Sequence, residues 1–279
     1  MIQPDNMHAL LQWYIAAGVD EAIDSAPQNR FVQAPKTPPA TAPETTPAAA
    51  PITAPARATP PVSVPNQAAA ATNTPSEDTR ELAAGCASFD ELRAAIGAFD
   101  GCALKRTATN TVVGTGDEAA ALMVVGEAPG GEEDRRGLPF VGPAGKLLDR
   151  MLAAIGLERS AVYITNILPW RPPGNRSPTA EEIALCQPFV ERQIELVQPK
   201  ILVLVGGISA KSLLDKREGI TRLRGTWREF SVPALAEPIA TMATFHPAYL
   251  LRQPAAKKEV WRDLLAIQQK LAEMPDKDK

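Results

Sequence analysis

The sequence predicts an α/β fold, a parallel sheet covered by helices on both faces, and three observations carry that prediction. Four short runs are predominantly apolar, without polar alternation: ALMVVGE (121–127), AVYITN (161–166), KILVLVGG (200–207) and PIATMATFH (238–246). A strand with one wet face alternates apolar with polar residues, so these runs belong inside a sheet buried on both sides. Between or after them lie stretches of helical periodicity: AGKLLDRMLAAIG (144–156), TAEEIALCQPFVERQIELV (179–197), ISAKSLL (208–214) and AKKEVWRDLLAIQQKLAEM (256–274). Strands separated by helices indicate parallel pairing. The alternation begins only near residue 86, after a segment of very different composition.

The chain opens with MHALLQWYIAAGVDEAID, where Met7, Leu10, Leu11 and Tyr14 fall at helical spacing and Gly18 is a stop. This predicts one short amphipathic helix in an arm spanning 1–32. Alone it is marginal. Two uses stay open, folding back on its own domain or docking on a protein partner through Trp13, Tyr14 and the leucines. Residues 33–80 read as a disordered linker, because eleven of the 27 prolines lie between Gln33 and Pro75, among Ala and Thr and with no aromatic residue. Such a segment buries too little apolar surface to offset its ordering entropy. A single domain is expected over 81–279.

Residues 1–80 hold four basic and seven acidic side chains of the chain's 29 and 32, so the rest is neutral overall. That excludes a uniformly basic nucleic-acid binder and leaves room for a local basic face. There is no run of about 18 apolar residues and no signal-peptide pattern, so a soluble, cytoplasmic protein without membrane contact is expected. Cys86, Cys102 and Cys186 form no disulfide framework, in keeping with a reducing compartment.

Ligands of open parallel sheets bind beyond the carboxyl ends of the strands. The four runs lead into GEAPGGEEDRRGLPFVG, NILPWRPPGNR, GGISA and HPAYLLR. The first is glycine-rich, yet it lacks the phosphate-loop and dinucleotide spacings and carries four carboxylates, which argues against a nucleotide cradle. Glu127, Asn166 and His246 all fall at strand ends. His8 lies in the arm, so His246 is the only imidazole the domain can use.

VVGEAPGGEEDRRGLPFVGPAGKLLDRML, VYITNILPWRPPGNR and TFHPAYLLR together resemble a family 4 uracil-DNA glycosylase, over about Cys102 to Asp263. The resemblance implies a three-layer fold around a central parallel four-stranded sheet, and hydrolysis of the bond joining uracil to deoxyribose in DNA. The matched residues suit that task. Phe140 offers a face for stacking a flipped base. Asn166 can accept from uracil N3–H and donate to O4, a pattern that cytosine inverts. His246 can donate to uracil O2 as charge grows on the leaving base. Ala128 stands where the best-known uracil glycosylases carry a water-activating Asp, so Glu127 and Glu133 are both candidate catalytic carboxylates, with their division of labour open. No lysine stands at these motifs, which points to a monofunctional enzyme.

Arg171, Asn175 and Arg176, stiffened by Pro172 and Pro173, are expected to grip the DNA backbone, with Arg252 on a further phosphate. Beside Tyr249, Leu250 and Leu251 offer an apolar wedge for the gap left by the flipped nucleotide, at most one of them serving. The enzyme is expected to act as a monomer. A glycosylase for another deaminated base is one rival reading, since Gly130 lies where other uracil glycosylases block the thymine methyl group with tyrosine. An inactive DNA-binding module is the second. The family also holds a four-iron cluster on four cysteines, and the matching positions here are Phe99, Cys102, Trp170 and Cys186. Phe and Trp cannot donate to iron. The expectation is therefore an iron-free, cofactor-free protein, with Cys102 and Cys186 reduced and close together and the aromatics filling the vacated volume.

Overall fold

The computed structural model of the chain describes residues 75 to 274, all within one compact unit, Asn66–Lys279. The expected arm at 1–32 and most of the expected linker lie outside the described residues. Among the described residues two helices precede any strand, α1 (Pro75–Ala84) and α2 (Phe89–Ala98). The first starts ahead of residue 81, where the sequence places the domain boundary. Thr79 and Ala83, one turn apart and both buried, tie it to the core.

Six strands form one sheet: β1 (Gly114–Gly116), β2 (Leu122–Gly126), β3 (Tyr163–Asn166), β4 (Ile201–Val205), β5 (Trp227–Phe230) and β6 (Ile239–Thr244), in the order β1-β3-β2-β4-β6-β5. The inner four, β3-β2-β4-β6, are parallel and coincide with the four apolar runs. Each outer strand pairs antiparallel. Neither outer strand stands out in the sequence. Gly-Thr-Gly reads as a turn, and Gly116 is required because a Cβ there would lie 1.8 Å from the Val162 carbonyl oxygen at a φ of +118°. Trp227–Phe230 carries two charges in four residues and is buried only at its last.

Every residue of β2, β3 and β4 is buried. Alternate side chains enter two separate cores, which is what a sheet covered on both faces requires. Met123, Val125, Tyr163, Leu202 and Leu204 join Trp170, Phe189 and Ile194 on one face. Leu122, Val124, Ile164, Val203 and Val205 join Leu148, Leu152, Leu264 and Ile267 on the other.

The remaining helices among the described residues are α3 (Gly131–Arg136), α4 (Pro143–Ala153), α5 (Ala180–Val197), α6 (Gly207–Leu214), α7 (Ile220–Leu223), α8 (Pro247–Arg252) and α9 (Lys257–Glu273). Their starts follow from local chemistry. Thr179 and Glu182 form a reciprocal capping box for α5, and Pro143 and Pro247 occupy first helical turns, where a missing N–H costs nothing. After β2 the chain crosses to β3 on one side, and β4 lies on the other side of β2. That reversal opens a crevice at the carboxyl ends of the central strands.

Candidate active site

A cavity of about 400 Å³ lies at those carboxyl ends, lined by Glu127, Glu133, Phe140, Asn166 and His246 together with Asn175, Arg176, Tyr249 and Arg252. Pro129 and Ala144 also line its wall and, small or side-chain-poor, left no chemical signal in the sequence; Gly130 lies beside them. A larger open groove of about 1200 Å³ beside β5, between Lys200 and Ile239, holds none of the strand-end residues. The smaller cavity is where the chemistry-bearing groups converge.

The backbone explains that convergence. Gly126 pairs in register with Asn166, and a Cβ on Gly126 would lie 2.4 Å from the Asn166 Oδ1 and 2.6 Å from the Phe140 ring. Only glycine lets amide and ring meet over the strand end. The Asn166 side chain is 4 % exposed, lines the cavity and has no hydrogen-bond partner among the described residues. Phe140 adopts a left-handed φ of 51°, rare for a bulky residue, and its ring lies 5.6 Å from the His246 ring at 30°.

His246 caps α8, its Nδ1 accepting a hydrogen bond from the Ala248 backbone N–H at 3.1 Å. A ring nitrogen that accepts carries no proton, so the neutral imidazole presents Nε2–H as its donor. Burial, helped by the nearby Arg252 charge and opposed by Glu133, pulls its pKa down to about 4. The imidazole is therefore neutral at ordinary pH.

The two glutamates stand in different places. Glu133 Oε1 accepts from the backbone N–H groups of Val141 (3.0 Å) and Gly142 (2.8 Å), so this carboxylate ties α3 to the loop that carries Phe140. Glu127 makes no side-chain hydrogen bond among the described residues, and burial alone raises its pKa.

The arginine loop is more self-paired than its sequence suggests. Arg171 donates to Asn175 Oδ1 at 2.8 Å, lies 3.9 Å from the buried Asp134 and is outside the cavity lining. Arg176 makes a two-pronged pair with Glu182 at 2.9 and 2.5 Å. Arg252 lines the cavity without an ion pair among the described residues. The two leucines divide: Leu250 is 1 % exposed in the core beside Val260 and Leu264, whereas Leu251 is 46 % exposed. Leu250 is thus out of reach of a DNA strand in this structure, because its position in the first turns of α8 points it at the core.

A model of the Uracil DNA glycosylase superfamily matches residues 113–265. The chain is 40 % identical over 184 residues to the type-4 uracil-DNA glycosylase of Archaeoglobus fulgidus, covering 64 % of this chain and 92 % of that protein. The chain belongs to the type-4 uracil-DNA glycosylase family. The type-4 enzyme of Sulfurisphaera tokodaii is 39 % identical (65 % of this chain, 84 % of that protein), and that of Thermotoga maritima 43 % identical (54 % and 77 %).

Membership corrects the expectation of a cofactor-free, iron-free protein, because the type-4 enzymes are the family that carries an iron–sulfur cluster. On this chain, Cys102 and Cys186 are the thiols at the cluster positions. Both are buried in one core, and the interaction between the two thiols lowers the Cys102 pKa to about 7 and, with burial, raises that of Cys186. At the other two positions Phe99 and Trp170 stack at 6.3 Å, with Phe189 edge-on to Phe99 at 5.3 Å, and Trp170 Nε1 donates to Thr111. Cys86 is engaged elsewhere, donating to the Leu82 carbonyl. Among the described residues these four positions supply two thiols, Cys102 and Cys186.

Proposed function

We propose that the protein removes uracil from DNA by hydrolysing its N-glycosidic bond, leaving an abasic site that starts base excision repair. The observation that carries this reading is one cavity holding a stacking face, an unpartnered buried amide and a neutral imidazole with its Nε2–H free. Phe140 stacks on the flipped base, and the Asn166 amide pairs with N3–H and O4. As the bond between C1′ and N1 breaks, its electron pair moves onto the ring towards O2, where His246 Nε2–H stabilises the growing charge. Water adds to C1′ and its proton leaves through Glu127, whose carboxylate also offsets the positive charge developing on the sugar. Glu133 acts through the loop it holds.

No lysine lines the cavity among the described residues, which favours a monofunctional hydrolase over a lyase. DNA enters along Arg252 and Asn175, with Arg171 and Arg176 exchanging their internal partners for phosphates and Leu251 as the wedge. Gly130 puts no side chain into the cavity, so duplexes with uracil, with thymine opposite guanine and with hypoxanthine should be assayed side by side.

Glu127→Gln should slow uracil release by about 10²–10⁴-fold, the usual range for a positioned base. The pH profile supplies the sign. A raised Glu127 pKa means wild-type activity falls on acidification above the ordinary carboxylate range, before His246 protonates near 4, and this limb should vanish in the variant. An unchanged single-turnover rate would move the role to Glu133. Removing residues 1–74 should leave activity on short oligonucleotides within about threefold, since every cavity group lies in the described domain. Loss of folding or activity would make the arm part of the domain.

A further inference from the structure

Phe140 presents its ring from backbone that bulky residues rarely adopt, so something must hold the turn. Its N–H side is accounted for: Glu133 takes the amides of Val141 and Gly142. Its carbonyl side is taken by one residue outside the cavity. Arg159 donates from Nη2 to the Pro139 carbonyl at 2.5 Å and from Nη1 to the Phe140 carbonyl at 3.0 Å, and the same Nη1 meets Asp149 Oδ1 at 2.9 Å. The first turn of α4 closes the remaining side, since a Cβ on Gly145 would lie 1.8 Å from the Phe140 oxygen.

We propose that Arg159 is a positioning residue for the stacking ring, holding Phe140 over the base pocket by gripping both carbonyls of the turn while Asp149 on α4 aims its guanidinium. Arg159 begins the short 3-10 turn Arg159–Ala161, which leads within a few residues into β3 and its last residue, Asn166. One side chain thus links the ring that stacks on the base to the strand carrying the amide that reads it. Geometry restricts the task to arginine, because a planar fork can serve two carbonyls and a carboxylate at once whereas a lysine ammonium is a point donor on a flexible stem. With both Nη groups engaged and only 28 % of its side chain exposed, Arg159 acts on the substrate through Phe140.

The inference rests on Phe140 as the stacking face, and a double-mutant cycle separates the two claims. Single-turnover uracil release from a single-stranded oligonucleotide would be measured for wild type, Arg159→Gln, Phe140→Ala and the double variant, with a thermal melt of each. Arg159→Gln should slow release by about 10- to 100-fold, the scale of a displaced positioning contact. On the Phe140→Ala background the same change should cost less than about threefold, because residues acting as one unit are not additive. Arg159→Lys, which keeps the charge beside Asp149, should not rescue the rate, and it carries the test if the glutamine variant melts below the assay temperature. An equal slowing on both backgrounds, a wild-type rate for Arg159→Gln, or rescue by lysine would overturn the role of Arg159. A wild-type rate for Phe140→Ala alone would overturn the stacking role, and the inference with it.

Discussion

Asn166→Asp should release uracil at least about a hundredfold more slowly than the wild-type protein, and should gain measurable release of cytosine. The amide lies almost fully buried at the end of β3, open to the cavity and without a partner among the described residues, so its hydrogen-bonding capacity is reserved for what enters. Uracil offers a donor at N3 and an acceptor at O4, and an amide answers both. An ionised carboxylate answers neither O4 nor the buried surroundings, and a protonated one can reverse its sense to meet the acceptor N3 and donor N4 of cytosine. Single-turnover assays on matched uracil and cytosine oligonucleotides check both halves. A wild-type rate on uracil would remove Asn166 from base recognition.

The second large effect concerns His246. Its replacement by alanine should slow the chemical step by about 10²- to 10³-fold, the loss seen when one preorganised donor to a developing oxyanion is removed. The Ala248 N–H holds Nδ1 as an acceptor, and burial keeps the ring uncharged, so the ring is already oriented and in the donating tautomer before substrate arrives. Substrate affinity should change less than rate, because the charge on O2 appears only as the bond breaks. Single-turnover rates measured across enzyme concentration separate the two. An unchanged maximal rate would leave His246 as the cap of α8 and nothing more.

Much of this arrangement was legible in the sequence because it rests on period and position. Runs apolar on both faces can only be inner strands of a covered sheet, and the residues just beyond them must sit at its carboxyl edge; that places Glu127, Asn166 and His246 together from the sequence alone. The outer strands were not legible, since three residues of Gly-Thr-Gly have no side-chain pattern to read and Trp227–Phe230 is only partly buried. The separate positions of the two glutamates depend on which carboxylate meets the amides of Val141 and Gly142, eight and nine residues beyond Glu133, a consequence of how the loop folds back. Likewise Leu250 and Leu251 differ only in the rotation of α8, which a six-residue helix does not announce.

The four cluster positions differ in kind. The aromatic contact between Phe99 and Trp170 follows from residue identity, whereas the cofactor of the family follows from descent, which is why reading residue identities alone led to the iron-free expectation that membership corrects. Arg171 and Arg176 make a related point. Their charges suggested a bare basic loop, but Asp134, Asn175 and Glu182 already engage them, so on the proposed DNA path phosphate binding would be an exchange of partners. Such an exchange makes the DNA affinity of the loop weaker than its arginine count suggests and sensitive to salt.

The central claim is that one cavity, built from Phe140, Asn166 and His246, takes a flipped uracil and releases it by hydrolysis. The most direct test is to incubate the 279-residue chain with oligonucleotides carrying a single uracil, single-stranded and in a duplex, to measure free uracil, and to cleave the remaining strand with alkali. The account predicts free uracil equal to the alkali-sensitive strand, with breaks only at the uracil position and none before alkali is added. Protein that melts cooperatively yet leaves the uracil strand intact would contradict the account, and breaks appearing without alkali would contradict its hydrolytic, monofunctional chemistry.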